Sequence, residues 1–172
     1  MSKTNPCHGN CPIARVTALL GDGWSLMIIR EAFLGSRKFN EFERRLGIAR
    51  NILSDRLRKL VEAGLLARKA SQTDRRVVEY RLTSSGRALF PVLIALTQWS
   101  EQHLGDCAHS VRYVERATGE EIQSIRVLSA DGRELDANEL AMLPGPDADA
   151  ALKARLVAAI EQAGSDAAQA AS

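Results

Sequence analysis

The amino-acid sequence predicts an α+β fold, mainly α: a winged helix-turn-helix with a long helix behind it, then a small C-terminal β-ribbon and a last helix. Three observations carry that expectation. Apolar residues recur at helical spacing in four short segments before residue 64. The period then changes to two strand-length runs around a polar turn, and a long helical stretch follows. Glycines stand at the joints, at Gly35, Gly47 and Gly64, where helices are expected to end.

The first helix is expected from Cys11 to Leu20, with Pro12 at a first-turn position where its missing N–H is not needed. Trp24 to Leu34 is apolar nearly all round, which marks a buried central helix. A short third helix covers Phe39 to Leu46. A fourth runs from about Arg50 to Ala63, where Leu53, Leu57, Leu60 and Val61 make one apolar stripe. Leu65–Lys69 and Val77–Leu82 then read as strands of a hairpin around Ser71–Arg75. The long helix is placed from Ser84 to Leu104, opened by a Thr83 cap and kinked at Pro91.

Beyond it, Val114–Ile122 and Val127–Leu135 share the pattern V-x-x-A-[TD]-G-x-E-[IL]. Each copy suggests a strand entering a tight Gly turn, so a two-turn β-ribbon is expected up to Pro144-Gly145-Pro146. An Ala-rich helix from about Asp149 to Gln162 follows, and Ser165 to Ser172 are expected to fray. The organisation read from the sequence is therefore 1–105 winged helix, 106–146 ribbon without metal ligands, and 147–172 helix and tail.

With 172 residues, 45% of them hydrophobic and 26% charged, the chain can bury one real core. No apolar run approaches the roughly 20 residues of a membrane span, and Met1 to Pro6 lack a secretory pattern. A cytoplasmic protein with no membrane partner is expected. The net charge of +2 hides an asymmetry. Ser36 to Arg87 hold 14 Lys and Arg against 6 Asp and Glu, while the flanks hold 9 against 15. A basic middle suits a polyanion, although charge alone equally suits a solvated Arg-rich surface.

The fourth helix decides between these readings. Opposite its apolar stripe lie Arg50, Asn51, Ser54, Asp55 and Arg58. Arg can bridge guanine O6 and N7, Asn can pair with adenine, and Ser adapts to either. A recognition helix reads mostly with its N-terminal turns, which puts Arg50, Asn51 and Ser54 first. Arg56 and Arg58 would serve phosphates or bases. Any amphipathic helix has a polar face, but here a short helix precedes it, a Gly turn intervenes and a basic hairpin follows.

The chain resembles the HxlR family of winged helix-turn-helix regulators. The matching residues are Cys11-Pro12, Gly21 with Trp24-Ser25, Arg30-Glu31, Phe39-Asn40-Glu41, Arg56-Leu57 with Leu60, Gly64-Leu65, Val78-Glu79-Tyr80 with Leu82-Thr83, Gly86, and Pro91-Val92-Leu93 with Trp99. The resemblance implies a homodimer on double-stranded DNA, with the first helix and the long helix as the dimerisation elements. It also implies that Arg75 and Arg76 lie in the wing, near phosphates or the minor groove. Two residues depart from the family pattern. Gly23 stands where a basic residue commonly precedes the Trp. Ala49 stands where Ser usually opens the recognition helix, a loss of roughly 0.5–2 kcal/mol if uncompensated.

Cys7, Cys11 and Cys107 are too few and too odd in number for a disulfide framework. Cys11 falls at the N-cap of the first helix, where the helix dipole favours thiolate. Several HxlR-type regulators sense oxidants or electrophiles through a cysteine at this position. In the implied dimer, Cys107 follows the long helix, which suggests a disulfide between Cys11 and Cys107 of the partner subunit; a packing or surface role is the alternative. Cys7, His8, Cys11, Cys107 and His109 are metal-ligand types, but Cys7-His8-x-x-Cys11 has no second tight pair and the ribbon turns lack Cys and His. No metal or cofactor is expected. The leading reading is a DNA-binding repressor released by a thiol-reactive or small-molecule inducer. A winged-helix protein–protein module that does not read DNA, suggested by the acidic tail, is the alternative. No Ser/His/Asp set, phosphate loop or carboxylate pair points to an enzyme.

Overall fold

The computed structural model describes residues 11–71, 76–105 and 111–170, which group into two compact units divided between Ile125 and Arg126. The first unit opens with four helices, α1 (Pro12–Leu20), α2 (Trp24–Phe33), α3 (Phe39–Leu46) and α4 (Arg50–Glu62). Strands β1 (Leu66–Ala70) and β2 (Val78–Leu82) follow, then α5 (Ser84–Arg87) and α6 (Phe90–His103). The core joins Ile28, Ile29 and Ala32 of α2 to Phe42 of α3 and to Leu53, Leu57 and Leu60 of α4, closed by Leu20, Ile48, Leu65 and Leu66. Each large side chain so buried stabilises by roughly 1.5–3 kcal/mol. Among the described residues no single helix is long and apolar enough to cross a membrane.

β1 and β2 pair antiparallel with Leu66 opposite Leu82 and Ala70 opposite Val78. Leu66 anchors this wing in the core, while Arg68, Lys69 and Ala70 run out into solvent. A third segment joins the sheet: Lys38 bridges Glu79, and the Tyr80 N–H donates to the Arg37 carbonyl at 2.7 Å. That contact leaves no trace in sequence periodicity, because two residues carry no alternation.

The long helix expected over Ser84–Leu104 is two helices. Thr83 Oγ1 caps α5, accepting the Gly86 N–H at 3.0 Å and donating to the Gly64 carbonyl at 2.6 Å. Gly86 lies so close to the turn between α4 and β1 that a Cβ on it would sit 2.1 Å from the Leu65 carbonyl oxygen. Pro91 then stands in the first turn of α6, where a missing N–H is harmless. It opens a helix rather than kinking one.

The first unit runs on to Ile125, past residue 105 at which the sequence reading divides the chain. Tyr113 packs edge-on against Phe90 with ring centroids 5.9 Å apart, and its hydroxyl lies 3.2 Å from Thr97 Oγ1. The Ile125 N–H donates to Gln98 Oε1 at 2.9 Å. The two copies of the internal repeat form tight turns rather than an extended ribbon. Val114 bridges Glu121 and Leu128 bridges Glu134, each as an isolated pair, with Gly119 and Gly132 at φ 75° and 86°. The flanking residues are almost all exposed, so little burial is available to lengthen either ladder. In the second unit a 3₁₀ turn, Ala137–Glu139, precedes α7 (Ala150–Ala170), which continues past Ser165 where fraying is expected.

Ala49 occupies the N-cap of α4 in an extended conformation, with no side-chain acceptor for the helix. Ala49→Ser is expected to raise stability by about 1 kcal/mol, read as a higher urea midpoint at unchanged slope.

Candidate nucleic-acid interface

The turn between α3 and α4 presents the second helix. Gly47, at φ 61°, ends α3, and Ile48 plugs the turn into the core with 3% of its surface exposed. Leu53, Leu57 and Leu60 then hold one side of α4 inside. On the outer side Arg50, Asn51, Ser54 and Arg58 are all exposed. Arg50 lies over the Phe39 ring, its Cζ 5.1 Å from the centroid, and pairs with Glu43 at 2.8 Å. Asn51 and Ser54 make no side-chain hydrogen bond among the described residues, so their polar groups face outward without an internal partner.

Arg58 is gripped by Glu62 at 2.9 Å and by Asp55 at 2.7 Å. Lys59 also reaches Asp55, at 2.9 Å, and these two cations hold the Asp55 carboxyl below its usual pKa, Lys59 first. To meet DNA, Arg58 must exchange these carboxylates for phosphate or base. Glu62→Gln is therefore expected to tighten DNA binding at low salt, with the gain fading as salt rises; a titration at two ionic strengths checks it.

Arg56 does not share this face. At 100° per residue it falls about 160° from Arg58, beside the apolar stripe. Its side chain is 23% exposed and points to Asp22, with Nε 3.1 Å from Asp22 Oδ2. Arg76 is exposed just before β2, while Arg75 lies outside the described residues. Cys11 is half-buried at the N-cap of α1; Cys7, His8, Cys107 and His109 also lie outside the described residues. Among the described residues no group of three His, Cys, Asp or Glu is placed to hold a metal ion.

The sequence profile of the HxlR-like helix-turn-helix family matches residues 19–108, a span that takes in α2 to α6. The chain belongs to this family. The uncharacterized HTH-type transcriptional regulators Rv3095 of Mycobacterium tuberculosis and Mb3122 of Mycobacterium bovis are each 38% identical to it over 135 residues, 78% of this chain and 85% of theirs. The crystal structure of PA1607, a candidate transcription factor, matches with a TM-score of 0.72 at 43% identity, covering 78% of this chain and 95% of that one. PA1374 of Pseudomonas aeruginosa matches at 0.57 and 38% identity, covering 84% and 99%. The protein is thus a DNA-binding transcription regulator built on a winged helix-turn-helix.

Two structural roles in this HxlR-type regulator escape the sequence reading, in which Arg30-Glu31 figures only for its match to the family. Glu31, 4% exposed, joins α2 to α3: it takes Arg30 at 2.8 Å and faces Arg45 at 3.7 Å. A charged pair inside an otherwise apolar helix is the signal that marks it. Asp22, two residues before α2, accepts the Ser25 N–H at 2.8 Å. The spacing Asp22-x-x-Ser25 before an apolar run is a helix-start signature that would have found it. Gly23, at φ 76°, forms the N-cap of α2 and offers no side chain to a phosphate.

Proposed function

We propose that this regulator is a cytoplasmic repressor that binds operator DNA as a homodimer, laying the N-terminal half of α4 in the major groove. The observation that carries this reading is the exposed row Arg50, Asn51, Ser54 and Arg58, backed by the buried Leu53, Leu57 and Leu60. Arg50 is assigned to guanine, Asn51 to adenine and Ser54 to a neighbouring base edge. Arg58 and the wing residues Arg75 and Arg76 are assigned to phosphates or the minor groove. Occupancy of a promoter suffices for repression and asks for no further surface. Mobility shifts on the DNA upstream of its own gene test this; affinity is expected to fall steeply with salt. Salt-independent binding, or none, overturns it.

Exposed apolar side chains support the dimer. Ile13 and Val16 of α1 and Val92, Leu96 and Trp99 of α6 are left to water in the single chain, and a second copy would cover them. For the input, Cys11 sits at the positive end of α1, which favours thiolate. Two thiols, Cys11 and Cys107 of the partner subunit, join as a disulfide, giving two electrons and two protons to the oxidant. After mild diamide treatment a non-reducing gel is expected to show a covalent dimer, absent in Cys107→Ser. A band that persists in that variant overturns the pairing. A groove of about 430 Å³ lined by Leu26, Met27, Leu93, Leu96, Thr97 and Tyr113 is the place assigned to a small-molecule inducer as the second input.

A further inference from the structure

We infer that Asp22 and Arg56 form a brace that sets the rotation of α4 against the corner between α1 and α2, so that both are positioning residues for DNA reading. This rests on the reading of α4 as the recognition helix. The geometry behind it begins at the corner. Gly21 admits no side chain, since a Cβ there would lie 2.4 Å from the Thr17 carbonyl oxygen. Gly23 takes a left-handed conformation at φ 76°. Asp22 stands between these two glycines at the corner. Its carboxylate is fixed: Oδ1 accepts the Ser25 N–H at 2.8 Å and Oδ2 accepts the Ser25 hydroxyl at 2.7 Å. Ser25 is itself 1% exposed in the first turn of α2.

Arg56 meets this fixed anion from α4. Its Nε is buried, at an angle too bent for a hydrogen bond, and the ion pair with Asp22 Oδ2 at 3.1 Å is its electrostatic partner across the fold. A second contact, NH1 to Asp55 Oδ2 at 3.2 Å, stays within α4. The remaining holds on this helix are the apolar stripe of Leu53, Leu57 and Leu60 and, at its exposed start, the contacts of Arg50 with Glu43 and Phe39 of α3. Burial of the stripe fixes which side of α4 lies inside, but the hydrophobic effect behind it is itself non-directional. A charged pair has direction, and the use assigned to this one is to specify one arrangement of α4. Rotation matters here, because a looseness of about 1 Å is enough to spoil a recognition constellation. The same corner ends α1, so a displacement of α1 reaches α4 through this pair.

The test uses full-length Asp22→Asn, Arg56→Gln and the double variant. Asn retains an oxygen for the Ser25 N–H, so Asp22→Asn keeps that cap, while an amide NH2 replaces the Oδ2 that faces Arg56 and the Ser25 hydroxyl turns to accept from it. Both single variants are expected to bind operator about tenfold more weakly, with little change on random DNA, and the double to be no worse than either single. The slope of log affinity against log salt should not change for Arg56→Gln. An Arg56 that contacts phosphate would lower that slope by about one. Tighter binding by Asp22→Asn would mark its carboxylate as a mere repulsion toward DNA. Either result overturns the brace. Amide exchange over residues 50–57, measured without DNA, should quicken in both single variants; unchanged exchange also overturns it. If the wild type prefers no DNA at all, the recognition-helix reading fails instead, and the exchange measurement still decides the brace.

Discussion

Replacing Arg50 and Asn51 together by alanine is expected to abolish most discrimination between operator and random DNA in a protein that remains fully folded. Each good bidentate contact to a base is worth about 1–3 kcal/mol of discrimination, so the pair carries about 2–6 kcal/mol. The fold loses little. Arg50 is 69% exposed, and its pair with Glu43 is a solvent-screened one; Asn51 is exposed with no side-chain hydrogen bond among the described residues. Non-specific affinity should persist, because the basic residues of β1 and the rest of α4 are untouched. Competition of labelled operator against random duplex, at one fixed salt concentration, gives the ratio directly. An unchanged ratio would take base reading away from the start of α4. Unfolding in urea should keep the wild-type midpoint, which separates lost recognition from lost structure.

How much of this was legible depended on whether the deciding contact was local. The helix ends at Gly47 and Gly64 and the apolar stripe of α4 are written within a few residues, and α3 and α4 lie where those signals place them. Pro91 was ambiguous because a proline fits both a kink and a first helical turn. Pro91 offers no N–H to the carbonyl of Arg87, the last residue of α5, and the helix breaks there rather than bending. The repeat told its turns, through Gly119 and Gly132, but not the length of its ladders, which depends on burial that the sequence does not state. Within the site, Arg50, Asn51, Ser54 and Arg58 came together because helical spacing alone puts them on one side. Residue type alone groups Arg56 with them. Its angular position, beside Leu60 and away from Arg58, already set it apart. Its partner Asp22 could not be read from α4 at all, since the α1–α2 corner reaches it only in the folded chain.

Phe42→Ala is expected to produce the opposite failure from the Arg50 and Asn51 pair. Phe42 has none of its surface exposed and lies in the core with Ile28, Ile29, Leu53 and Leu57. It also meets Tyr80 of β2 edge-on, with ring centroids 6.5 Å apart at 83°. One side chain of α3 thus touches both the helical core and the wing, and truncating it opens a cavity where the two meet. Truncating a buried Phe costs about 3–5 kcal/mol, against about 5–15 kcal/mol for a whole domain. Urea unfolding followed by circular dichroism should show the midpoint falling with the slope unchanged. The molecules that stay folded keep the exposed row on α4, so their preference for operator over random DNA should match the wild type even as active protein becomes scarce. A lost preference at full stability would mean that Phe42 shapes the reading surface directly; a lost stability at full preference is what its burial dictates.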